Sequence, residues 1–403
     1  MASVRPLVLE LIRHTSCGLP EDVLDALARA RDREEPGSRA YSTFERMIQN
    51  VEAAREASAP ICQDTGTLIF YVDYGPDYSP HQLERDIVGA VRDATKKAYL
   101  RPNAVDAITG SNSGDNVGVG SPYIHFHPRR TKGLRIRLMM KGGGCENVGA
   151  QYSLPDSSLG AGRDLDGVRR CIIDAVQKAQ GYGCAPGTIG VGIGGDRVTS
   201  YMESKEQLFR RLDDRNPDPT LAALEEELTE SLQKLGIGPM GFGGKTTVLG
   251  VKIGARHRVP ASFFVSVSYM CWAYRRGELE IKGDKVYLSG RRMIPAEPRR
   301  RTAAGATAAR TARKAAATPR KKTAKASGAA KKAKAAGAKT AKKAAAKSTK
   351  TTSAAKTAKK AAARSAKETA AAKTSAKRSA ARARLKPAPI PSRRASAHKL
   401  PVL

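Results

Sequence analysis

Four cysteines adjoin glycine-rich or polar segments, and their chemistry depends on whether the fold brings them together. They lie in the segments ICQDTG, KGGGCEN, CAPGTIGVGIGG and YMCWA as Cys62, Cys145, Cys184 and Cys271. Zinc modules usually hold their ligands in local pairs such as CxxC, and the sequence contains no such pair. Widely separated cysteines that converge in space are typical of iron–sulfur clusters. Spacing alone leaves both a cluster site and simple packing open.

The other two cysteines predict no chemistry. Cys17 lies in a helix-to-turn segment, and Cys171 lies on the apolar face of a helical pattern. Free cysteines of this kind behave as small buried apolar residues, so we expect both to be packing residues.

The segment MASVRPLVLELIRH has charges within its short apolar runs and is unlike a secretory signal. Six irregularly spaced cysteines then favour reduced thiols in a cytoplasm.

Glycine is concentrated in segments between candidate helices and strands. These segments are GSNSGDNVG, KGGGCEN, CAPGTIGVGIGG and LGIGPMGFGG. Glycine lets the backbone approach a ligand closely, but it also forms ordinary tight turns. A phosphate-binding loop is disfavoured because GGKT at 243–246 has no strand-to-helix context, and no GxGxxG opens a dinucleotide-binding unit. Turns and a ligand-binding backbone both remain open.

Helical and strand patterns must position these segments. Apolar periodicity predicts helices over EDVLDALARARDREE, SRAYSTFERMIQNVEAAREAS, HQLERDIVGAVRDATKKAYL, DGVRRCIIDAVQKAQGYG and residues 221–235. Alternation or β-branched apolar runs predict strands over YIHFHP, LRIRLMMK, TTVLGVKIGA and ASFFVSVSYMCWA. Because helices and strands are mixed without a regular βαβ period, the predicted fold class is α+β.

Charge divides the chain into two parts. The net charge is +33, and residues 299–403 hold 32 Lys or Arg and a single acid, Glu368. Residues 1–298 are nearly neutral, with 39 basic and 37 acidic residues. The C-terminal part consists mainly of Ala, Lys, Arg, Thr and Ser, which cannot form an apolar core. We therefore expect one folded domain over 1–298 and a disordered basic tail over 299–403.

The tail suggests a partner of its own. A polycation binds nucleic acid or another polyanion by counterion release, with little choice of sequence. It has no aromatic residues to stack on bases, so base recognition is not expected. Non-specific DNA or polyanion binding and a merely solubilising role are both possible functions.

No apolar run approaches the roughly 18 to 20 residues needed to span a bilayer, so we expect no membrane segment.

Six segments, in this order, resemble the class I fumarase and L(+)-tartrate dehydratase family. They are ICQDTG, GSNSGDNVG, KGGGCEN, CAPGTIGVGIGG, LGIGPMGFGGKTTVLGVKI and HRVPASFFVSVSYMCWAYRR. The resemblance covers about residues 5–290 and is to the α subunit, the N-terminal domain of the iron–sulfur hydro-lyases. It implies addition or removal of water on a small dicarboxylate, most simply fumarate and malate, with L(+)-tartrate as the alternative. A function of another class is DNA or polyanion binding by a hydro-lyase-derived scaffold.

The resemblance assigns roles to the loop cysteines. It implies a [4Fe–4S] cluster held by Cys62, Cys184 and Cys271, with one iron left without a protein ligand. An iron of this kind acts as a Lewis acid on the substrate hydroxyl. Cys145 stands where the family commonly has serine. We expect Cys145 to be a substitution within a loop that approaches the substrate rather than a fourth ligand.

The resemblance also implies groups that handle the dicarboxylate. Arg101 matches a carboxylate-binding position of the family. Asp64 is next to a cluster ligand and is the candidate acid–base group, while helix capping is its alternative role. Further substrate contacts are expected from Gln63, the backbone amides of Gly143 and Gly144, Lys245 and His257.

Two departures from the family pattern affect these expectations. The segment HRVPAS places Val259 where family members often have a histidine. The smaller swivelling domain of the family has no counterpart after residue 298. We therefore expect a separate β subunit, and a homo- or hetero-oligomer.

Overall fold

Two β-sheets form the framework of the protein, in a computed structural model that describes residues 3–293. The six-stranded sheet has the order β10-β9-β8-β3-β1-β2, and the four-stranded sheet has the order β4-β7-β5-β6. The strands are β1 Thr67–Tyr74, β2 Tyr123–Pro128, β3 Leu134–Lys141, β4 Ala150–Ser153, β5 Gly187–Gly194, β6 Val248–Arg256, β7 Phe264–Met270, β8 Arg275–Lys282, β9 Lys285–Leu288 and β10 Arg291–Met293. The predicted tail and the predicted boundary at residue 298 lie outside the described residues.

Helices pack on both sheets, and the α+β class is confirmed. Five predicted helices correspond to α2, α3, α4, α6 and α8 with small differences at their ends, whereas α1, α5 and α7 were not predicted. Within residues 3–293, no helix combines the length and apolar character needed to cross a membrane. The helices are α1 Arg5–Cys17, α2 Glu21–Arg33, α3 Arg39–Ala57, α4 Pro80–Lys96, α5 Gly143–Asn147, α6 Leu165–Ala179, α7 Arg197–Gln207 and α8 Pro219–Gln233, with a 3-10 turn at Pro239–Gly241.

Strand β1 shows how the six-stranded sheet is buried on both faces. Leu68, Phe70 and Val72 belong to one apolar cluster with α1 and α4. Ile69 and Tyr71 point to the other face and join the core that includes the four-stranded sheet. The continuous apolar run LIFYV is therefore the sequence of a central strand with no solvent-facing side.

The segment CAPGTIGVGIGG contains a buried strand rather than a loop. Residues 187–194 form β5, which lies between β6 and β7 and is buried along its whole length. A Cβ at Gly190 would lie 2.1 Å from the Ser204 carbonyl oxygen, and one at Gly192 would lie 2.0 Å from that of Ser200. The glycines let α7 pack directly on the strand backbone. The expectation of a turn or ligand-binding loop is wrong here because close helix–strand packing also requires glycine.

Candidate active site

Three chain segments meet at one end of the six-stranded sheet. Residues 61–66 precede β1, residues 142–145 follow β3 and residues 271–274 precede β8. Because β1 and β8 are both antiparallel to β3, which lies between them, these segments emerge side by side. Each segment carries one of the loop cysteines, namely Cys62, Cys145 and Cys271.

One end of the four-stranded sheet reaches the same place. Cys184 precedes β5 and Cys271 follows β7, and these two strands are antiparallel neighbours. The backbone N–H of Trp272 donates a hydrogen bond to the carbonyl oxygen of Cys184, 3.2 Å away. The fold thus gathers all four loop cysteines where the two sheets meet. We call this place the thiol site and define it by Cys62, Cys145, Cys184 and Cys271.

The thiols are close enough to change one another's pKa. Interaction with the Cys271 thiol, helped by the nearby Lys141 ammonium, lowers the pKa of Cys145 to about 6. Interaction with the Cys145 thiol, together with burial, raises the pKa of Cys271 well above its usual value. Burial raises the pKa of Cys184, and acidic neighbours that include Cys62 raise it further. Of these three thiols, Cys145 therefore favours the thiolate form, whereas Cys184 and Cys271 hold their protons more firmly than usual.

The donor set fits a cluster better than a single ion. Within residues 3–293, no three His, Cys, Asp or Glu side chains converge on one point as ligands of a single metal ion do. In an iron–sulfur cluster each thiolate binds a different iron, so the thiols are spaced around the group. Cysteines that approach from separate segments suit that arrangement. The buried guanidinium of Arg275, with Nε and Nη1 unbonded, also suits a group that carries negative charge.

Asp64 connects three loops beside the thiols. Its Oδ2 accepts a hydrogen bond from the Gly143 N–H at 2.7 Å, and its Oδ1 accepts from the Gly66 N–H at 2.9 Å and from Asn103 Nδ2 at 3.2 Å. Since Gly143 begins α5, the carboxylate binds a helix N-terminus from a distant segment rather than as a local cap. The Gly143 N–H, which we expected to bind substrate, is paired with Asp64 in this structure.

Gly66 allows the ICQDTG and KGGGCEN segments to approach each other. Its φ is +78°, and a Cβ on it would lie 2.6 Å from the carbonyl carbon and oxygen of Lys141. On the facing segment, a Cβ at Gly142 would lie 2.9 Å from Asp64 Oδ2. At these two positions glycine serves the approach of one loop to another.

Arg101 lies on a loop that is fastened beside the site. Its N–H donates to the buried Thr65 Oγ1 at 2.8 Å, and its carbonyl accepts from Asn116 Nδ2 at 2.9 Å. Asn116 Oδ1 also accepts from the N–H of Asn103 at 2.7 Å. The Arg101 side chain is exposed, and within residues 3–293 no carboxylate forms an ion pair with it. Sequence reasoning missed these supporting residues, although GSNSGDNVG had marked the segment that holds Asn116.

A buried chain of charges supports α5. The Lys141 Nζ donates a hydrogen bond to the Cys145 carbonyl oxygen, 3.0 Å away. It also forms an ion pair with Glu146 Oε2 at 2.5 Å, although the angles of that contact are not those of a hydrogen bond. Glu146 Oε1 accepts a hydrogen bond from Lys205 Nζ at 2.6 Å. Burial opposes ionisation of Glu146, but the two ammonium groups outweigh it and lower its pKa. The sequence had no signal for this network, because α7, which carries Lys205, was not predicted.

The other predicted substrate residues divide between the two ends of the four-stranded sheet. Gln63 is exposed beside Cys62, and Gly144 lies in α5. Lys245 precedes β6 at the same end, with its side chain exposed and its N–H 3.0 Å from the Glu34 carboxylate oxygens. These three residues lie on segments that border the thiol site.

His257 lies elsewhere. It follows β6 at the opposite end of the sheet, where its carbonyl accepts a hydrogen bond from the Gly195 N–H at 3.3 Å. Because β5 and β6 are parallel, the whole length of β6 separates His257 from the end that carries Cys184. Val259 follows on the same exposed loop. The structure therefore does not bring His257 to the thiols.

The two remaining cysteines are buried in helices. Cys17 ends α1 and Cys171 lies in α6, with 3% and 0% of their surface exposed. Burial raises the pKa of Cys17, and it raises that of Cys171 to about 12. Their thiols are thus kept protonated and out of contact with solvent.

Comparison with known proteins agrees with this architecture. The chain matches the family model for fumarate hydratase (fumerase) over residues 6–280. It is 52% identical, over 270 residues, to a Geobacillus stearothermophilus protein provisionally named fumarate hydratase class I, a match that covers 66% of this chain and 52% of that protein. The chain thus spans about half the length of that relative.

Two further relatives are named as single subunits. Identity is 34% over 286 residues with a Methanocaldococcus jannaschii protein provisionally named L(+)-tartrate dehydratase subunit alpha, covering 70% of this chain and 98% of that one. The chain is also 34% identical, over 275 residues, to the L(+)-tartrate dehydratase subunit alpha of Escherichia coli K12, and the match covers 68% of this chain and 88% of that one. The family model matches more than half of the chain, and the resemblance seen in the sequence is confirmed: this chain belongs to the fumarate hydratase (fumerase) family.

Proposed function

We propose that this chain is the α subunit of an iron–sulfur hydro-lyase that interconverts fumarate and malate. The observation that carries the proposal is the gathering of four loop thiols and the Asp64 carboxylate at one junction of the two sheets. The 52% identity to a relative named fumarate hydratase favours fumarate and malate. L(+)-tartrate is the second candidate substrate, supported by the 34% identities to tartrate dehydratase α subunits.

The cluster ligands in this proposal are Cys62, Cys184 and Cys271. A bound [4Fe–4S] cluster with one iron free of protein ligands supplies a Lewis acid for the substrate hydroxyl. Cys145 follows β3, whose neighbours β1 and β8 are preceded by the segments of Cys62 and Cys271, so it lies among the proposed ligands. Iron retention in Cys145→Ser, compared with Cys184→Ser, decides whether Cys145 is a ligand.

Asp64 is the proposed acid–base group. Three N–H donors from separate loops fix the direction of its carboxylate. In dehydration it takes the proton from the carbon next to a substrate carboxylate, and in hydration it returns that proton. A base held this rigidly keeps one orientation towards a substrate carbon throughout the reaction.

Recognition of the dicarboxylate is assigned to groups around the thiol site. The exposed Arg101 guanidinium suits bidentate binding of a carboxylate. Gln63, the Gly144 amide and the Lys245 ammonium are the further donors on bordering segments. We assign His257 no contact with substrate, because it lies at the opposite end of the four-stranded sheet.

A separate β subunit completes the proposal. Relatives of this chain are named alpha subunits of L(+)-tartrate dehydratase, and such names imply a second subunit. In this view the β subunit covers the thiol site and adds substrate-binding groups to it. DNA or polyanion binding by residues 299–403 stays a separate prediction from the sequence.

The test uses the full chain. It is reconstituted anaerobically with ferrous iron and sulfide, and is then assayed on fumarate, L-malate and L(+)-tartrate, with and without a purified β subunit of a two-subunit relative. We expect about four iron and four sulfide per chain, and turnover that depends on the added subunit. Failure to bind iron and sulfide contradicts the proposal. Strong turnover without the second subunit contradicts only the two-subunit part.

A further inference from the structure

Arg275 is a buried cation without a buried anion. It begins β8, and only 1% of its surface is exposed. Its Nε and Nη1 have no hydrogen-bond partner, and within residues 3–293 its guanidinium forms no ion pair. A buried charge without a partner strongly destabilises a folded protein. The position therefore calls for a negatively charged group that the polypeptide does not provide.

Neighbouring buried cations are compensated. Arg276, the next residue, forms an ion pair with Asp22 at 2.5 Å and lies over the Tyr274 ring, 4.6 Å from its centroid. One nitrogen of Arg276, Nη1, makes no hydrogen bond, but the Asp22 carboxylate balances its charge. Lys141 is likewise paired with Glu146. The unbalanced charge of Arg275 is therefore a local property and not a general feature of this core.

Arg275 is placed at the thiol site. It follows Cys271 by four residues, and its backbone pairs with Met140 at the end of β3, just before the loop that carries Cys145. Cys145 and Cys271 are themselves buried. Arg275 thus lies on a segment that adjoins both buried thiols.

We infer that Arg275 supplies the positive charge that balances the thiolate-bound cluster and so stabilises its retention. This inference rests on the proposed function. Three thiolates outweigh the charge of an oxidised cluster core, so the assembled group is an anion in a buried setting. Charge and hydrogen bonds around a cluster set its reduction potential. Arg275 acts through the cluster and is a positioning and charge-balancing residue, not a catalytic one.

The experiment compares Arg275→Gln and Arg275→Lys with the wild-type chain. The matched control is the double variant Asp22→Asn with Arg276→Gln, which removes an adjacent buried guanidinium together with its partner. The measurements are iron and sulfide per chain after anaerobic reconstitution, the rate of iron loss to a chelator, and the midpoint potential of the cluster. None of them needs an active complex.

Arg275→Gln should lose iron about 10-fold faster than wild type or more, in the range found when groups around a metal centre are removed. Its potential should become more negative, because a nearby positive charge favours the reduced cluster. Arg275→Lys should stay close to wild type, and so should the control. Without the cluster, Arg275→Gln should unfold at the same denaturant concentration as wild type or a higher one, because an unpaired buried charge has been removed.

Each other result has a distinct meaning. Wild-type iron retention and potential in Arg275→Gln overturn this inference and leave the proposed function standing. A wild-type chain that takes up no cluster overturns the proposed function itself. A raised KM of Arg275→Gln in the presence of the β subunit, with an unchanged cluster, shows that Arg275 binds substrate, and overturns the inference. Lower stability of the cluster-free variant assigns Arg275 a packing role and also overturns it.

Discussion

The two ends of the four-stranded sheet differ in how well their buried polar groups are satisfied. At the end that borders the thiols, the hydroxyls of Thr188 and Thr246 are buried without hydrogen-bond partners. At the opposite end, Arg256 is paired with the buried Glu203, and no described side chain there has a buried unbonded atom. Native proteins satisfy nearly all buried polar groups, so unsatisfied ones need an explanation.

This difference separates a site built for a ligand from a surface that is already complete. The end near the thiols combines unpaired hydroxyls, the uncompensated Arg275 and thiols that change one another's pKa. The opposite end ends in the exposed loop of His257 and Val259. We therefore expect substitutions near the thiols to affect the cluster and the reaction most, and substitutions at the opposite end of the sheet to affect them least.

Loss of a cluster ligand should have the largest effect. Serine at Cys62, Cys184 or Cys271 removes one thiolate, and the reconstituted chain should retain little iron and sulfide. Cys17→Ser and Cys171→Ser are the matched controls, because these thiols are buried in helices, and they should retain wild-type iron content. Iron and sulfide analysis after anaerobic desalting measures this. Cluster loss in Cys145→Ser together with retention in Cys184→Ser would show that the ligand assignment is wrong.

Asp64→Asn should abolish most catalysis while leaving the cluster in place. The amide keeps the size of the side chain but cannot accept a proton from carbon, so kcat should fall about 10²- to 10⁴-fold. The assay is malate dehydration by the complex with the β subunit, with iron content measured on the same sample. Full activity of this variant assigns the acid–base role to another group, for example on the β subunit.

Between the two ends, the middle of β5 should respond in stability rather than in chemistry. Gly192→Ala places a Cβ 2.0 Å from the Ser200 carbonyl oxygen, so α7 must move away from the strand. Overpacking of this kind costs about 1–3 kcal/mol. Gly118→Ala, where a Cβ meets no atom within 4 Å, is the control and should be nearly neutral. Urea unfolding of both variants decides; equal midpoints would mean that α7 does not depend on this glycine.

Local patterns were sufficient to predict much of the framework. The apolar periodicity of α3 and α4 reflects burial that repeats along the chain, which a sequence displays directly. Strand β5 was missed because its glycines carry no side-chain pattern, and their purpose lies in α7, a helix from another segment. A signal that depends on the partner element cannot be read from one segment alone.

The candidate site shows the same limit. Cysteines beside glycine-rich segments indicated which loops matter, and the fold brings these loops together. The hydrogen bonds of Asn103 and Asn116 join loops that are distant in sequence. The lack of a partner for Arg275 depends on which acidic side chains the fold places near it. His257 was expected at the site by its neighbourhood in the family motif. The parallel pairing of β5 and β6, which separates it from Cys184, is a fact of topology.

The smallest effect is expected at the far end of the sheet. His257→Gln changes an exposed side chain that follows β6 and has no described hydrogen-bond partner, so iron content, kcat and KM should stay within about 2-fold of wild type. Lys245→Gln, just before the same strand and at the end that borders the thiols, is the matched comparison. It removes a cation expected to attract a substrate carboxylate and should raise KM more than it lowers kcat. Both variants are measured in the complex with the β subunit. A large fall in kcat for His257→Gln with normal iron content would show that the far end contributes to the reaction, and the contrast between the two ends would no longer mark the active site.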